Sequence, residues 1–366
     1  MNAFRFLPLL LLAAAVAPAG AQSQGTPLPG LQDALPPAGE TPKLPPTLRA
    51  AAEAANKGDL AAAAELLKTE AAKGNADAAL GYAEFLLTGK GVKADASAAI
   101  TWLEKAGTPA AQLLESDIFR VGAPGVPKDA DRAAFLLNAA AEAGDPNAQT
   151  RLGAGLEQQA MKGDAASERD RFFREAREWY EKAAAKAQPD ALFALAKFTR
   201  DGIAGYEKNE EKATAGFFKA AAAGSYAAGN EMGIRYRAGL GIHADSVAGV
   251  GWFLAAAESG HPPAMINLGR CYETAEGVPR NYDRAGFWYA RAAKAGLPEA
   301  QFFLGGLFEN GLGTAKNTVF AFVNYSRAAN AGFKDAAVAR DRLKPGLSPQ
   351  QLAEADKLLI GEDSKP

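Results

Sequence analysis

The chain has 366 residues, with 40 Lys and Arg against 42 Asp and Glu, for a formal net charge of −2. That balance supplies no basic field to hold a nucleic-acid backbone, and no run of like charge marks a polyanion-binding arm. One cysteine, Cys271, and two histidines, His243 and His261, rule out an internal disulfide and any Cys₂His₂ or Cys₄ metal site.

In chain order, Arg5 precedes an apolar run from Leu7 to Val16, after which comes Pro18-Ala19-Gly20-Ala21. A basic residue, a short apolar stretch and an Ala-x-Ala site read as a secretory signal peptide over residues 1–21. The run is shorter than the ~20 residues a membrane span requires, so no stable membrane insertion is expected after cleavage. The expected location is therefore exported, periplasmic or secreted. Residues 22–46 carry seven prolines (Pro27, Pro29, Pro36, Pro37, Pro42, Pro45 and Pro46) and few large apolar groups, the composition of a disordered linker.

Residues 47–73 read as an Ala-rich helix pair turning at Gly58-Asp59, an N-terminal cap. Beyond Lys73 the chain repeats itself. The pattern Ala-x-x-Gly-x-x-x-Ala centres on Gly74, Gly144, Gly224, Gly260, Gly296 and Gly332, with looser copies at Gly107 and Ala187. These anchors stand 33, 37, 43, 37, 36, 36 and 36 residues apart, a period that means stacked supersecondary units. Four residues after each anchor comes alanine (Ala78, Ala111, Ala148, Ala191, Ala228, Ala264, Ala300, Ala336), and nine after it a small residue such as Gly153 or Gly269. That spacing puts small groups on one face of a first helix, where a neighbouring helix can come close.

A glycine-bearing loop succeeds each first helix, as in Gly89-Lys-Gly91 and Gly239-Leu-Gly241. A second helix then carries aromatics: Trp102-Leu103, Trp179-Tyr180, Phe217-Phe218, Trp252-Phe253, Trp288-Tyr289 and Tyr325. The anchor glycine closes that helix in a left-handed conformation. With Leu268-Gly269-x-x-Tyr272, Gly277-Val278 and Trp288-Tyr289-x-x-Ala292-Ala293-x-x-Gly296 in place, residues 47–344 resemble the Sel1-like repeat family, relatives of tetratricopeptide repeats. The resemblance implies an all-α fold: a right-handed α/α superhelical solenoid of about eight helix-turn-helix repeats. It also implies a binding scaffold, although fold alone does not assign a task.

The period between Gly144 and Ala187 holds seven extra residues, placed within 161–171 and read as a polar loop with an extended following helix. At the C-terminal end, residues 345–366 read as a capping helix and tail. Ser348-Pro349-Gln350-Gln351 spells a capping box, and Leu352, Ala355, Leu358 and Leu359 line one side of the helix.

Motifs for chemistry are missing from the sequence. The Gly-x-Gly loops lack the third glycine of a dinucleotide fingerprint, and no Gly-Lys-Ser/Thr accompanies them. His243 and His261 fall in different turns, and Cys271 sits where the repeat buries apolar groups. Some cysteine-rich members of the resembled family are described as penicillin-binding or β-lactamase-like. This chain lacks Ser-x-x-Lys, Gly-x-Ser-x-Gly and the paired cysteines, so a β-lactamase-like or peptidoglycan-acting hydrolase is only the alternative reading. No enzyme activity, cofactor or catalytic residue is expected.

Positions ten and thirteen after each anchor are expected to project from the first helices, on the concave side by resemblance to related solenoids. They hold Glu84, Asp117, Arg120, Lys197, Arg200, Arg237, Arg270, Glu273 and Glu309. Lys197, Arg200, Arg237, Arg270 and Glu273 are the candidate contacts for a protein partner, the four cations forming a basic stripe. A glycan partner would need aromatics exposed in the groove, whereas the repeat places them at packing positions.

Overall fold

The computed structural model describes residues 46–163 and 165–363; the expected signal peptide and residues 22–45 of the linker lie outside them. The described residues form α-helices from end to end, with no strand beyond an isolated bridge between Ala123 and Val126. They divide after Lys208 into two compact units.

The first unit runs α1 (Pro46–Asn56), α2 (Leu60–Ala72), α3 (Ala76–Thr88), α4 (Ala96–Ala106), α5 (Pro109–Val121), α6 (Ala130–Glu142), α7 (Pro146–Lys162), α8 (Ala166–Ala184) and α9 (Pro189–Asp201). The second runs α10 (Glu210–Ala222), α11 (Tyr226–Ala238), α12 (Ser246–Glu258), α13 (Pro262–Thr274), α14 (Tyr282–Lys294), α15 (Pro298–Asn310), α16 (Thr318–Asn330), α17 (Lys334–Leu343) and α18 (Pro349–Asp363). Within each unit, a helix packs on its neighbours in sequence, as a repeat array requires. The family resemblance correctly anticipated this all-α, paired-helix class.

Local chemistry sets the helix boundaries. Asp95, Asp129, Asp245, Asn281 and Asn317 cap second helices, each side chain accepting from a backbone N–H three residues on. The same residues donate their own N–H to a first-helix carbonyl, as Asn281 does to Tyr272 at 2.9 Å. One residue thereby starts a helix and ties the loop back. The anchor residues end second helices at positive φ, for example +90° at Gly260, and Ala187 is held at +55° despite its β-carbon. All eight alanines four positions beyond the anchors are fully buried.

One detail departs in part from the sequence reading. The extended helix expected after the insertion is present, α8 having 19 residues against 13 in α6, but α7 is lengthened too, to 17 against 13 in α5. The insertion thus goes mostly into the two helices, and pairs such as Arg177–Glu181 at 2.7 Å lace the exposed side of α8. Trp102 lies on a second helix as expected, but out of register with the other tryptophans. It precedes its anchor by five residues, whereas Trp179, Trp252 and Trp288 precede theirs by eight, and its ring meets Tyr82 edge-on at 5.6 Å.

At the C-terminal end the capping box is formed. Ser348 N–H donates to Gln351 Oε1 at 2.9 Å, and Gln351 N–H donates to Ser348 Oγ at 3.2 Å. Leu352, Ala355, Leu358 and Leu359 of α18 pack with Val319, Phe322 and Val323 of α16.

Candidate functional site

Within each unit the first helices present a row of polar side chains, and the aromatic of the second helix organises it. The ring seven residues before an anchor lies across the glycine nine residues after the previous anchor. A β-carbon at Gly153, Gly269 or Gly305 would stand 2.8, 2.5 or 2.6 Å from Tyr180, Tyr289 or Tyr325 respectively. Each hydroxyl then emerges beside position thirteen, where it donates a hydrogen bond to a glutamate: Tyr180–Glu157 at 2.9 Å, Tyr289–Glu273 at 2.6 Å and Tyr325–Glu309 at 2.8 Å. Burial, reinforced by the neighbouring carboxylate, pushes all three phenols well above their usual range. Where the ring is Phe253, position thirteen holds Arg237 instead, its guanidinium 5.9 Å from the ring centroid.

Position ten links one repeat to the one before it. Lys197 Nζ meets Glu157 Oε1 at 2.8 Å, and Arg342 forks onto both oxygens of Glu309 at 2.6 and 2.8 Å. The Arg342 contact holds the Glu309 carboxyl below the usual range. Glu157 and Glu309 are therefore each shared between a tyrosine and a cation from the following first helix, whereas position ten after Glu273 is Gly306.

The five candidate contacts fall into this lattice. In the first unit, Lys197 is committed to Glu157, and Arg200 pairs with Asp201 at 2.7 Å. In the second unit, Glu273 accepts from Tyr289, Arg237 meets Glu276 at 3.5 Å, and Arg270 lies 5.9 Å from the Phe303 centroid. Asn267 on α13 donates to Asn230 on α11 at 2.8 Å, joining the two helices beside the arginines. Asp117 does not project as expected. It is 1% exposed, and its Oδ1 accepts from both Arg120 at 3.0 Å and Arg151 at 2.6 Å.

Sequence reasoning missed Arg235. It occupies the position that holds Cys271 and Leu307 in the following repeats, and it is fully buried like them. Nη1 donates to Thr214 Oγ1 at 2.8 Å and to the carbonyls of Glu210 and Leu240 at 3.3 Å, with the Glu210 carboxylate at 3.0 Å. The guanidinium also lies over Phe217, 4.7 Å from its centroid. Aligning the periods shows an arginine in an apolar column, which is the signal that could have revealed it.

The remaining suspects look inert. Cys271 is buried, and desolvation pushes its thiol up to about 11, against the lowering influence of Arg237 and Arg270. His261 precedes α13 without a capping hydrogen bond, and burial lowers its basicity. Among the described residues no group of three or more His, Cys, Asp or Glu could hold a metal ion. No helix among them is long and apolar enough to cross a membrane. The Gly-x-Gly loops make packing contacts: the second glycine abuts the first residue of the preceding second helix, as Gly241 does Glu210 and Gly277 does Ser246.

The profile of the Sel1 repeat matches seven consecutive segments: 76–108, 111–145, 146–187, 189–225, 228–261, 262–297 and 298–333. The chain belongs to the Sel1 repeat family. Among solved structures it is similar to a protective antigen of uropathogenic Escherichia coli that displays an SLR fold. That likeness has 28% identity and a TM-score of 0.64, over 84% of this chain and 66% of the antigen. It is also similar to a Sel1 repeat protein from Oxalobacter formigenes, at 26% identity and a TM-score of 0.55, over 81% of this chain and 90% of that one. The chain thus spans 66% of the antigen's length. No curated protein matches it. In Sel1 terms, α1 and α2 lie before the first matched repeat yet contact it as a repeat would: Gly91 sits on the Leu60 carbonyl just as Gly241 sits on that of Glu210.

Proposed function

We propose that this Sel1 repeat solenoid is an exported, non-enzymatic scaffold that holds a protein partner along the face of its first helices, the expected concave groove. The observation that supports this reading is the lattice itself. Buried tyrosines hold the carboxylates at position thirteen of three first helices, Glu157 by Tyr180 in the first unit and Glu273 and Glu309 by Tyr289 and Tyr325 in the second, and a cation from the following first helix meets Glu157 and Glu309 as well. Such a surface is rigid before a partner arrives, so binding costs little ordering of side chains. The signal-like N-terminus directs the reading to the periplasm or the outside of the cell, with a role in envelope assembly, exopolysaccharide production or signalling. Lys197, Arg200, Arg237, Arg270 and Glu273 are its candidate contacts.

Site-specific photocross-linking in the native cell tests the reading. A photoreactive residue at Arg200, Asn267 or Arg270, on the first helices, is expected to give a discrete protein adduct. The same residue at Lys182, Lys219 or Lys294, on second helices, is expected to give none. Adducts confined to the second-helix positions would overturn the proposal, as would hydrolysis of nitrocefin or muropeptides by the purified protein. Amino-terminal sequencing of the native protein checks export, with a mature start at Gln22 expected.

A further inference from the structure

The first unit holds an open cleft of about 380 Å³ where α2, α3 and α4 meet. Its floor is made of small residues, Ala71 and Ala72 from α2 and Ala76 and Ala79 from α3, and Trp102 and Lys105 of α4 stand at its wall. Two departures from the period account for it. In the Gly144 repeat the residue five past the anchor is Gln149, whose Nε2 donates to the Ala141 carbonyl at 3.0 Å. Ala79 holds that position after Gly74, and its side chain is too short to cover the Ala71 carbonyl in the same way. Five residues before the anchor, the other second helices carry alanine, lysine or arginine, and only α4 carries an aromatic. Trp102 is half-buried there, whereas Trp252 and Trp288 are buried, and Lys105 Nζ stands over its ring, 4.5 Å from the centroid.

The chain itself supplies an occupant. A turn at 57–59 joins α1 to α2, so the two run antiparallel, and Leu48 near the start of α1 shares a core with Ala71 near the end of α2. Pro46, the first described residue, is therefore at the same end of this helix pair as the cleft. Pro36, Pro37, Pro42 and Pro45 come just before it in sequence, outside the described residues. In a polyproline II conformation, at ~3.1 Å per residue, Pro42 reaches about 12 Å from Pro46. The three-residue period of that conformation puts Pro36, Pro42 and Pro45 on one face. Faces of this kind dock on aromatic-lined grooves, since a chain already extended loses little entropy on binding. Charge agrees with the fit: Glu40 is the one acid between Pro36 and Pro46, and Lys105 is the charged group of the cleft.

We propose that the Trp102 cleft is a docking site for the chain's own proline segment, residues 36–45, with Pro42 against the indole and Glu40 beside Lys105. The segment straps the second-helix side of the first unit and leaves the first-helix carboxylates open. This inference stands apart from the scaffold reading, whose contacts lie on first helices.

The test uses the full chain as the cell produces it and a strap variant carrying Glu40→Ser, Pro42→Ser and Pro45→Ser. The readout is the set of indole N–H signals of the four tryptophans in a nitrogen-15 correlation spectrum, with Trp102 identified through Trp102→Phe. The strap variant is expected to move the Trp102 signal and to leave those of Trp179, Trp252 and Trp288 in place. A synthetic peptide of residues 34–47 should return the Trp102 signal of the strap variant to its parental position. At the same concentration it should leave the parent unchanged, because a tethered segment competes at an effective concentration in the millimolar range. Glu40→Gln in the peptide should weaken binding about two- to fivefold, as loss of an exposed ion pair implies. Ala79→Gln supplies the side chain that Gln149 supplies in the Gly144 repeat. It should abolish peptide binding while the other three indole signals stay in place.

A Trp102 signal indifferent to the strap variant would overturn the proposal. So would a peptide that binds the parent as tightly as the strap variant, since the cleft would then stand empty of its own segment. A parental Trp102 signal that moves towards the strap-variant position on dilution would overturn it too, the occupant then being the segment of a second copy.

Discussion

At the scale of residues, the tyrosine that crosses a glycine governs the most. Gly269→Ala would put a β-carbon 2.5 Å from Tyr289 Cε1, so the ring must move and its bond to Glu273 must lengthen. Calorimetry is expected to show a loss of about 1–3 kcal/mol, as overpacking of a dense interior costs. Tyr289→Phe keeps the ring and removes only the hydroxyl, and should cost about 1.5–3 kcal/mol because a charged acceptor loses its donor. The carboxylates of α3 and α5 behave differently. Burial pushes Glu84 up from 4.5 to about 8; burial first and Glu104 second push Glu115 to about 7, with Arg132 opposing. Both hold a proton more tightly folded than unfolded. Their contribution to stability is complete below the unfolded value of 4.5 and is lost as the pH rises through the folded values. Glu84→Gln should therefore melt on the order of 2–4 °C above the parent at pH 8 and show little difference at pH 4. A gap that does not grow with pH would show that Glu84 ionises normally.

At the scale of elements, the inter-helix loops and the terminal cap are the sensitive points. Gly241 has φ +63°, and a β-carbon there would lie 2.3 Å from the Glu210 carbonyl oxygen. Gly241→Ala combines left-handed strain with a backbone clash and should cost more than ~3 kcal/mol by chemical denaturation. Gly224→Ala, with nothing within 4 Å, meets the strain alone and should cost about 1–2 kcal/mol. Ser348→Ala removes half of a reciprocal cap and should cost about 1 kcal/mol. The glycine turns and the terminal cap were legible because each carries a short-range rule: a glycine after a helix, a Ser-Pro-x-Gln box before one. The loop expected within 161–171 was read too long because a polar composition does not decide between loop and helix. A polar stretch with Glu and Arg four residues apart is as good a helix as a loop, and tertiary packing decides between them.

At the scale of the whole molecule, the repeat architecture was legible in the period, whereas the contact surface was not. Reading positions ten and thirteen as outward-facing was half right: Arg270 is exposed, but Asp117 is buried beneath two arginines and Glu273 is occupied by a tyrosine twenty-nine residues past the anchor. Pairings of that kind depend on which side chain the second helix sends back, and a single period seen alone does not contain them. Aligned periods do, since Glu appears at position thirteen with Tyr and Arg with Phe. A chain whose helices pack mainly on near neighbours in sequence should also open from its ends. Hydrogen exchange in α1 and α18 is expected to run at least about tenfold faster than in α12 to α14, and uniform protection would show one cooperative block. The glycine that rests on the preceding helix carries a further meaning for how such a chain can change length. Gly91, Gly241, Gly277 and Gly313 each fit against backbone contributed by the period before, so no period is a self-contained module. A duplication or deletion keeps this fit only if its two breakpoints fall at the same phase of the period. Length in this gene is therefore quantised, and its grammar is written across the junctions between copies.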